Sequence, residues 1–147
     1  MSKISLKVVD YTDKFYEIQF VRKQVYQIEQ GIDPTNIFDG QDETAGQILA
    51  YLDNQPVGTA RVRYLDNQIA SIEKLAVLSN ARRQGIGKKI MEKALELAVQ
   101  KNVQEVVIRA QYYVKGLYQQ LGFEQEGEIF KVAGNPHALI KMRKRLR

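Results

Sequence analysis

The chain has 147 residues, no cysteine and one histidine, with 44% hydrophobic and 27% charged residues. This composition is typical of one globular domain with a buried core, so we expect a single domain over residues 1–147. The absence of cysteine excludes disulfides, thiolate metal sites and a cysteine nucleophile, and with one histidine we expect no metal site. No apolar run approaches the roughly 18 residues of a membrane span, and no signal-peptide pattern opens the chain, so we expect a cytoplasmic protein without a membrane partner.

The net charge of +5 would suit a nucleic-acid-binding protein, but the excess is concentrated at one end. The last seven positions hold five basic residues, Lys141, Arg143, Lys144, Arg145 and Arg147. The rest of the chain has no basic stripe interleaved with aromatic residues, which nucleic-acid-binding surfaces commonly carry. We therefore expect a solvated basic tail that catalysis does not need, and no nucleic-acid partner.

Hydrophobic periodicity at the start of the chain predicts a strand and then a long helix. Residues 3–9 alternate, with Ile4, Leu6 and Val8 directed inward, which indicates a strand. Apolar residues recur at helical spacing over about residues 13–30, and Gly31 is expected to end this helix. Residues 34–40 are predicted to be irregular or a short helical turn.

Strands and one amphipathic helix are predicted for the remainder of the chain. Turn-forming residues at 53–56 join two strands as a hairpin, and a buried strand follows them. A second long helix is predicted over residues 82–102, where lysine and glutamate separate apolar residues at helical spacing. The predicted strands lie at residues 47–52, 57–65, 69–78, 105–110, 124–132 and 138–143.

A basic loop containing two glycines lies between the buried strand and the second long helix. It consists of Arg82, Arg83, Gln84, Gly85, Ile86, Gly87 and Lys88. Glycine lets a ligand approach the backbone closely, and the first turn of a helix offers unpaired N–H groups, so this order suits a phosphate. A dinucleotide fingerprint would need glycine in place of Ile90, and a P-loop would need glycine in place of Arg82. The loop is therefore predicted to bind another kind of pyrophosphate.

The pattern R-x-x-G-x-G from Arg82 to Gly87 resembles the acyl-CoA loop of the GNAT superfamily of N-acyltransferases. Residues 117–123 read L-Y-Q-Q-L-G-F, similar to the family signature F-Y-x-x-L-G-F, with leucine where phenylalanine is commoner. Residues 21–30 (V-R-K-Q-V-Y-Q-I-E-Q) and 134–137 (G-N-P-H) are similar to the ElaA/YjcF-like branch. The resemblance implies an α/β (α+β) fold, with a mixed, mostly antiparallel central sheet of about seven strands and helices on both faces.

The same resemblance implies an N-acetyltransferase that uses acetyl-CoA as co-substrate and a primary amine of a small molecule or peptide as acceptor. Without cysteine, direct transfer in a ternary complex is expected rather than an acyl-enzyme. Two alternatives stay open: a non-catalytic acyl-CoA-binding sensor and an acyl-homoserine-lactone synthase, for which the chain is short. We expect a monomer or a homodimer.

Two residues are candidates for proton transfer. Glu73 stands in an otherwise apolar strand, where burial is expected to raise the pKa of its carboxyl, and it is the candidate base through a water. A salt bridge to Arg61 is its structural alternative. The resemblance implies that Tyr118 lies beside the CoA sulfur. Its hydroxyl has an ordinary pKa of about 10, comparable to that of a thiol, which makes it the candidate acid. Its alternative is a tyrosine of the core.

The remaining candidates divide into a cofactor set and an acceptor set. The resemblance implies that the backbone near Leu75 to Val77 serves the thioester carbonyl and the pantetheine arm. The cofactor set is Leu75, Ala76, Val77, Arg82, Arg83, Gln84, Gly85, Ile86, Gly87, Lys88 and Gln111. The acceptor set is Arg22, Glu29, Gln30, Asp39, Asp42 and His137. An ordinary surface or structural position is the alternative for each member of the acceptor set.

Overall fold

One mixed sheet runs through the computed structural model, which describes residues 3–146. Its strands are β1 (Ile4–Val9), β2 (Gly46–Leu52), β3 (Gln55–Tyr64), β4 (Ile69–Val77), β5 (Glu105–Gln111), β6 (Glu124–Phe130) and β7 (Leu139–Arg145). Their order across the sheet is β1-β2-β3-β4-β5-β7-β6. Only β4 and β5 pair in parallel among the described strands. The predicted mixed, mostly antiparallel sheet is confirmed.

Helices cover both faces of the sheet. They are α1 (Phe15–Arg22), which continues as the π-helical segment Lys23–Glu29, α2 (Ile86–Gln100) and α3 (Lys115–Gln120). α1 and α2 both contact β3 and β4. Ile72 of β4 belongs to the main core with α2, whereas Ala76 forms a second cluster with Val21 and Val25. Ile72 and Ala76 would share a face of a regular strand, but β4 has one extra residue between them, which turns Ala76 to the other side, so the two helices lie on opposite faces.

Close packing of α2 on the sheet depends on a glycine of β3. A Cβ atom at Gly58 would lie 2.8 Å from Cδ1 of Ile90, a distance that atoms do not tolerate without a shift. Ile90 and Met91 are fully buried in the core at this contact. The sequence therefore lets α2, and the loop before it, lie directly against the middle of the sheet.

β4 and β5 diverge, and their divergence creates the site. They pair only between residues 69–71 and 105–107, although β4 continues to Val77 and β5 to Gln111. On the other side of β4, Arg61 pairs with Glu73 but Thr59 pairs with Ala76, so β4 has one extra residue. Lys74 lies in this bulge with φ 58°. A bulge bends its strand, and here it accompanies a gap between β4 and β5.

Two predicted helix boundaries and one side-chain direction need correction. α2 begins at Ile86 rather than at residue 82, because Arg83 (φ 64°) and Gly85 (φ 76°) have left-handed rather than helical backbone. The first helix begins at Phe15 and changes to π-helical winding, and Gly31 (φ 69°) follows its end as predicted. Val8 is 50% exposed rather than directed inward.

The prediction of a solvated basic tail was wrong for the described residues. These residues belong to β7, which lies between β5 and β6 and carries the fully buried Met142. Arg143 forms ion pairs with Glu105 and Glu126, and Lys141 forms one with Glu126. The acidic partners come from β5 and β6, which are distant in sequence, so composition alone did not reveal the pairing. Arg147 lies outside the described residues.

Within residues 3–146, no helix has both the length and the apolar character needed to cross a membrane.

Candidate active site

A large cavity of about 1230 Å³ lies at the gap between β4 and β5. At one end it is lined by the glycine loop and the first turn of α2, and at the other by polar residues of β3, β4, β5 and β7. Glu73, Tyr118 and every predicted cofactor residue except Gln84 line it. Four members of the acceptor set also line it, namely Glu29, Gln30, Asp39 and His137. The structure thus brings most of the predicted residues to one cavity.

The cofactor end combines open backbone with unpaired positive charge. Gly85 precedes α2 in the left-handed conformation, which glycine adopts without strain. A Cβ atom at Gly87 would meet only Cγ2 of Val77, at 3.8 Å, so there is free space beside this backbone. Arg83 and Lys88 are exposed and make no hydrogen bond or ion pair within residues 3–146. These features fit a pyrophosphate group.

Arg82, by contrast, is occupied by a partner from the predicted acceptor set. Both of its terminal nitrogens donate to the carboxylate of Glu29, and its Nε donates to the carbonyl of Val77 at 3.0 Å. The hydrogen bond from Arg82 lowers the pKa of Glu29. Glu29 therefore contacts the cofactor loop rather than the acceptor end, and it joins that loop to the π-helical segment.

Three polar side chains connect β5, the π-helical segment and the loop before β7. Nε2 of Gln111 donates to Oε1 of Gln30 at 2.6 Å. Nε2 of His137 lies 3.0 Å from the carbonyl oxygen of Gln30. Because a carbonyl only accepts, Nε2 of a neutral His137 carries the proton, and this nitrogen is not available as a base. The arrangement favours a structural contribution from His137.

Glu73 lies in a network of arginines at the acceptor end. Arg61, with a side chain only 1% exposed, donates to both oxygens of Asp39 at 2.7 Å and to Oε1 of Glu73 at 2.7 and 2.9 Å. Arg63 and the hydroxyl of Ser71 donate to Oε2 of Glu73 at 3.1 and 2.7 Å. Burial raises the pKa of Glu73, but these donors outweigh it and the pKa is lowered. The predicted raised pKa was wrong, and the alternative salt bridge to Arg61 is present.

Arg22 and Asp42, predicted to line the acceptor site, lie beneath the cavity instead. Arg22 is fully buried, and its two terminal nitrogens donate to Asp42 at 2.9 and 2.7 Å. Asp42 also lies 3.3 Å from Nη1 of Arg61 and accepts from Gln47 at 3.1 Å. Through Asp42, the pair therefore helps to hold the Arg61 side chain in position. The polarity of a residue in the sequence does not show whether its side chain lines the cavity or holds a cavity residue in place.

Two tyrosines lie close to the centre of the cavity. Tyr118 is 8% exposed and its ring meets that of Phe123 edge-on, with centroids 6.2 Å apart. Burial, with a smaller contribution from Tyr113, raises the pKa of Tyr118 to about 12. Tyr26 of the π-helical segment donates its hydroxyl to the carbonyl of Leu75, and burial raises its pKa also. Both hydroxyls therefore stay protonated at neutral pH.

Comparison with known families agrees with this geometry. The family model described as "Acetyltransferase (GNAT) domain" matches residues 19–146 of this chain. The chain belongs to the GNAT acetyltransferase family. Recognition of this superfamily from the two motifs is thereby confirmed.

Individual relatives match most of the chain in sequence, and solved structures share its fold. YyaT, an uncharacterized protein of Bacillus subtilis, is 30% identical over 140 residues, covering 93% of this chain and 94% of YyaT. YjcF, an uncharacterized N-acetyltransferase of the same bacterium, is 29% identical over 126 residues, covering 85% and 86%. The crystal structure of Escherichia coli ElaA matches with TM-score 0.84 at 24% identity, covering 97% of this chain and 99% of ElaA. A GNAT family acetyltransferase from Elizabethkingia anophelis, with acetyl-CoA bound, matches with TM-score 0.70 at 19% identity, covering 97% and 98%.

The cavity lining also includes residues outside the predicted site set, among them Tyr26, Arg63, Lys74 and Arg109. Tyr26 is the aromatic residue of the segment 21–30 (V-R-K-Q-V-Y-Q-I-E-Q), and the similarity of this segment to the ElaA/YjcF-like branch was the available signal. Arg63 lies in β3 and Arg109 in β5. An arginine in a strand does not by itself indicate a ligand-binding residue, so neither was indicated by the sequence. Lys74 donates to the carbonyl of Asn36, and burial, aided by Arg61, lowers its pKa. Its position follows from the register shift between strands, for which the sequence carries no signal.

The cavity offers no metal site among the described residues. No group of three or more histidine, aspartate or glutamate side chains within residues 3–146 could hold a metal ion. The carboxylates at the acceptor end are bound by arginine instead.

Proposed function

We propose that this protein is an N-acetyltransferase that transfers an acetyl group from acetyl-CoA to a primary amine of a small molecule. The observation that carries the proposal is the single cavity, which joins the glycine loop at one end to the ionised network at the other. Such a cavity would hold both substrates at once, which direct transfer requires. A cytoplasmic location remains part of the proposal.

The cofactor end supports binding of a CoA pyrophosphate. The first N–H groups of α2 are unpaired within the helix, and Arg83 and Lys88 add positive charge beside them. Arg82 contributes indirectly, because its bonds to Glu29 and to the carbonyl of Val77 hold the loop against β4. Gly87 leaves the backbone open to approach.

The centre of the cavity supports the transfer step. Acetyl-CoA supplies an activated acyl carbonyl, whose carbon bonds to the amine nitrogen as the carbon–sulfur bond breaks. Beyond the bulge, the backbone of Leu75 to Val77 lines the gap and is the proposed contact for the acyl carbonyl and pantetheine arm. Preorganised N–H donors of this kind stabilise the negative charge that develops on the carbonyl oxygen.

Tyr118 is proposed to stabilise the departing sulfur. Its raised pKa of about 12 lies roughly three units above that of an ordinary thiol, so complete proton transfer to the thiolate is unfavourable. A hydrogen bond from its hydroxyl to the sulfur is favourable, because the hydroxyl stays protonated across the working range. The sequence led us to expect similar pKa values for the Tyr118 hydroxyl and the CoA thiol, and hence proton transfer. With the raised pKa, we propose hydrogen-bond donation to the sulfur instead.

Glu73 is proposed to accept a hydrogen bond from the attacking amine, directly or through a water. Its carboxylate is ionised at neutral pH and can stabilise the positive charge that develops on the nitrogen. Its lowered pKa makes it a weak proton acceptor, so the proton finally leaves to solvent.

Turnover of acetyl-CoA with a panel of primary amines tests this function. Thiol release that depends on an added amine, with the acetylated amine identified by mass, is the expected result. Binding of acetyl-CoA without amine-dependent thiol release from any member would indicate the sensor alternative instead. A long-chain acyl-CoA in the same assay separates acetyl transfer from transfer of longer acyl groups.

A further inference from the structure

The acceptor end of the cavity has more cationic than anionic side chains. Its charged lining residues are Arg61, Arg63, Lys74, Arg109 and Lys141 against Asp39 and Glu73. Both carboxylates are bound by Arg61, and Glu73 is bound by Arg63 as well. Lys141 has a partner outside the cavity, Glu126, at 3.2 Å. The positive charge of Arg63 and Arg109 is therefore only partly compensated.

Arg109 has the greatest freedom to bind a ligand. It is exposed, and within residues 3–146 its guanidinium makes no hydrogen bond or ion pair. Its guanidinium carbon lies 5.8 Å from the centroid of the Phe130 ring. α1 and the π-helical segment pack mainly on β3 and β4, and Arg109 lines the cavity from β5. A planar guanidinium in this setting is suited to a carboxylate or a phosphate.

Arg63 approaches the same space from β3. Its side chain is 31% exposed, and it bonds Glu73 through Nη1 at 3.1 Å, while Nη2 has only a 3.5 Å contact with Gln41. Arg63 pairs with Ser71, and Ser71 pairs with Val107, two residues before Arg109. With strands about 4.8 Å apart and about 3.3 Å per residue, the Cα atoms of the two arginines would lie roughly 12 Å apart in a regular sheet, and the divergence of β4 and β5 beyond Val107 makes this a lower bound. Their long side chains can reach one small molecule between them.

Building on the proposed acetyl transfer, we propose that the acceptor is a primary amine that also carries an acidic group, which Arg63 and Arg109 bind. Its amino group would lie beside Glu73, at the gap where the acetyl group is delivered. The acidic group is a carboxylate or a phosphate, since both match the guanidinium fork. Polycationic acceptors such as polyamines are disfavoured, because the positive side chains would repel their second charge.

Matched amine pairs test the proposal by thiol release from acetyl-CoA. The pairs are 4-aminobutyrate with putrescine, leucine with leucinamide, and phosphoethanolamine with ethanolamine. In the unmodified chain, the acidic member of at least one pair should have a kcat/KM at least tenfold higher than its partner. A kcat/KM for the acidic member that is less than tenfold higher than that of its partner in every pair would overturn the proposal, and the preferred pair would distinguish carboxylate from phosphate.

Variants locate the acidic group. In Arg109→Gln and Arg63→Gln, the KM of the acidic amine should rise about tenfold or more, because a charged hydrogen bond is lost. In Arg109→Gln, the KM of acetyl-CoA and the kinetics with a neutral amine should not change. Arg63→Gln also removes a donor to Glu73, so its effect is judged by the ratio of the KM of the acidic amine to that of the neutral amine, which should rise. Lys23→Gln is the matched control, since it removes one exposed positive charge away from the cavity. Equal losses in all three variants, or an equal loss for acidic and neutral amines in Arg109→Gln, would contradict the proposed contacts.

Calorimetry separates this proposal from the proposed activity. The same amines are titrated into the protein saturated with CoA, which requires no turnover. Tighter binding of acidic amines that is lost in Arg109→Gln, without thiol release from acetyl-CoA, would support the acidic ligand and contradict the transferase. Binding that does not distinguish acidic from neutral amines would overturn the acidic ligand whatever the turnover shows.

Discussion

Glu73 illustrates how neighbouring donors determine what one carboxylate can do. Arg61, Arg63 and Ser71 lower its pKa, whereas the conjugate acid of a primary amine has a pKa of about 10, like that of lysine. The carboxylate is therefore ionised at neutral pH and does not titrate where the enzyme would be assayed. Any increase of rate with pH between 6 and 9 should instead reflect formation of the free acceptor amine.

The first prediction concerns Glu73→Gln. We expect kcat/KM to fall on the order of 10²-fold, because the charge that stabilises the developing ammonium is lost. The shape of the pH–rate profile between pH 6 and 9 should match that of the unmodified protein. Steady-state kinetics across this range provide the measurement. A variant that recovers selectively above pH 8 would instead identify Glu73 as the proton acceptor.

The second prediction concerns the hydroxyl of Tyr118. Tyr118→Phe keeps the ring packed against Phe123, so stability should change by no more than about 1 kcal/mol. We expect kcat to fall at least tenfold with little change in the KM of acetyl-CoA, because only the bond to the departing sulfur is lost. Tyr112→Phe is the control, since Tyr112 does not line the cavity. Equal effects of both variants on kcat would exclude the proposed contribution of Tyr118.

At the scale of elements, the loop before α2 depends on two glycines for different reasons. Gly85 has a left-handed backbone, so a side chain there strains the loop even though its Cβ would meet no atom within 4 Å. Gly87 has ordinary helical geometry, and a side chain there is tolerated by the protein itself. Substitution of Gly87 can thus separate folding from ligand binding.

The third prediction uses this difference. Gly87→Val should leave the melting temperature nearly unchanged but weaken CoA binding at least tenfold by calorimetry, because its side chain would occupy the space beside the backbone N–H groups. Gly116→Val is the matched control. Gly116 is a helical glycine outside the cavity, and a Cβ atom there would meet no atom within 4 Å. Unchanged CoA affinity in a folded Gly87→Val protein would contradict binding at this loop.

At the scale of the whole molecule, paired carboxylates connect distant parts of the chain. Asp39 and Asp42 lie before β2 and bind arginines of β3 and α1, while Glu126 of β6 binds Arg143 of β7. Hydrogen bonds from arginine lower the pKa of Asp39, and those from Arg143 and Lys141 lower the pKa of Glu126 to about 2. These carboxyls therefore bind fewer protons in the folded than in the unfolded state below about pH 5.

The fourth prediction follows from the sign of these shifts. A lowered folded pKa contributes stability above the unfolded value near 4, and this contribution is lost as pH falls toward the folded pKa. The free energy of unfolding, measured with urea at pH 7, 5, 4 and 3, should decrease below pH 5. Glu126→Gln should make this decrease shallower, because one of the shifted groups is absent. Glu92→Gln, at an exposed position that forms no ion pair within residues 3–146, should retain the original slope.

Local sequence determined the strands of this protein and the two motifs by which its family is recognised. Hydrophobic periodicity placed every strand within a few residues, because alternation and helical spacing are properties of contiguous segments. The loop from Arg82 to Gly87 and the signature around Tyr118 were recognisable because each acts within a few consecutive residues. These two motifs were sufficient to predict the fold and the family.

Tertiary structure alone decided which polar residues act together. The pKa of Glu73 depends on Arg61 and Arg63 of the neighbouring strand, and the bulge at Lys74 depends on how two strands pair. Arg22 is buried and Glu29 lies at the cofactor loop because of helix packing rather than residue type. The basic end of the chain is a paired strand because acidic residues of β5 and β6 lie beside it. Burial and charge depend on neighbours across the sheet, and those neighbours are distant in sequence.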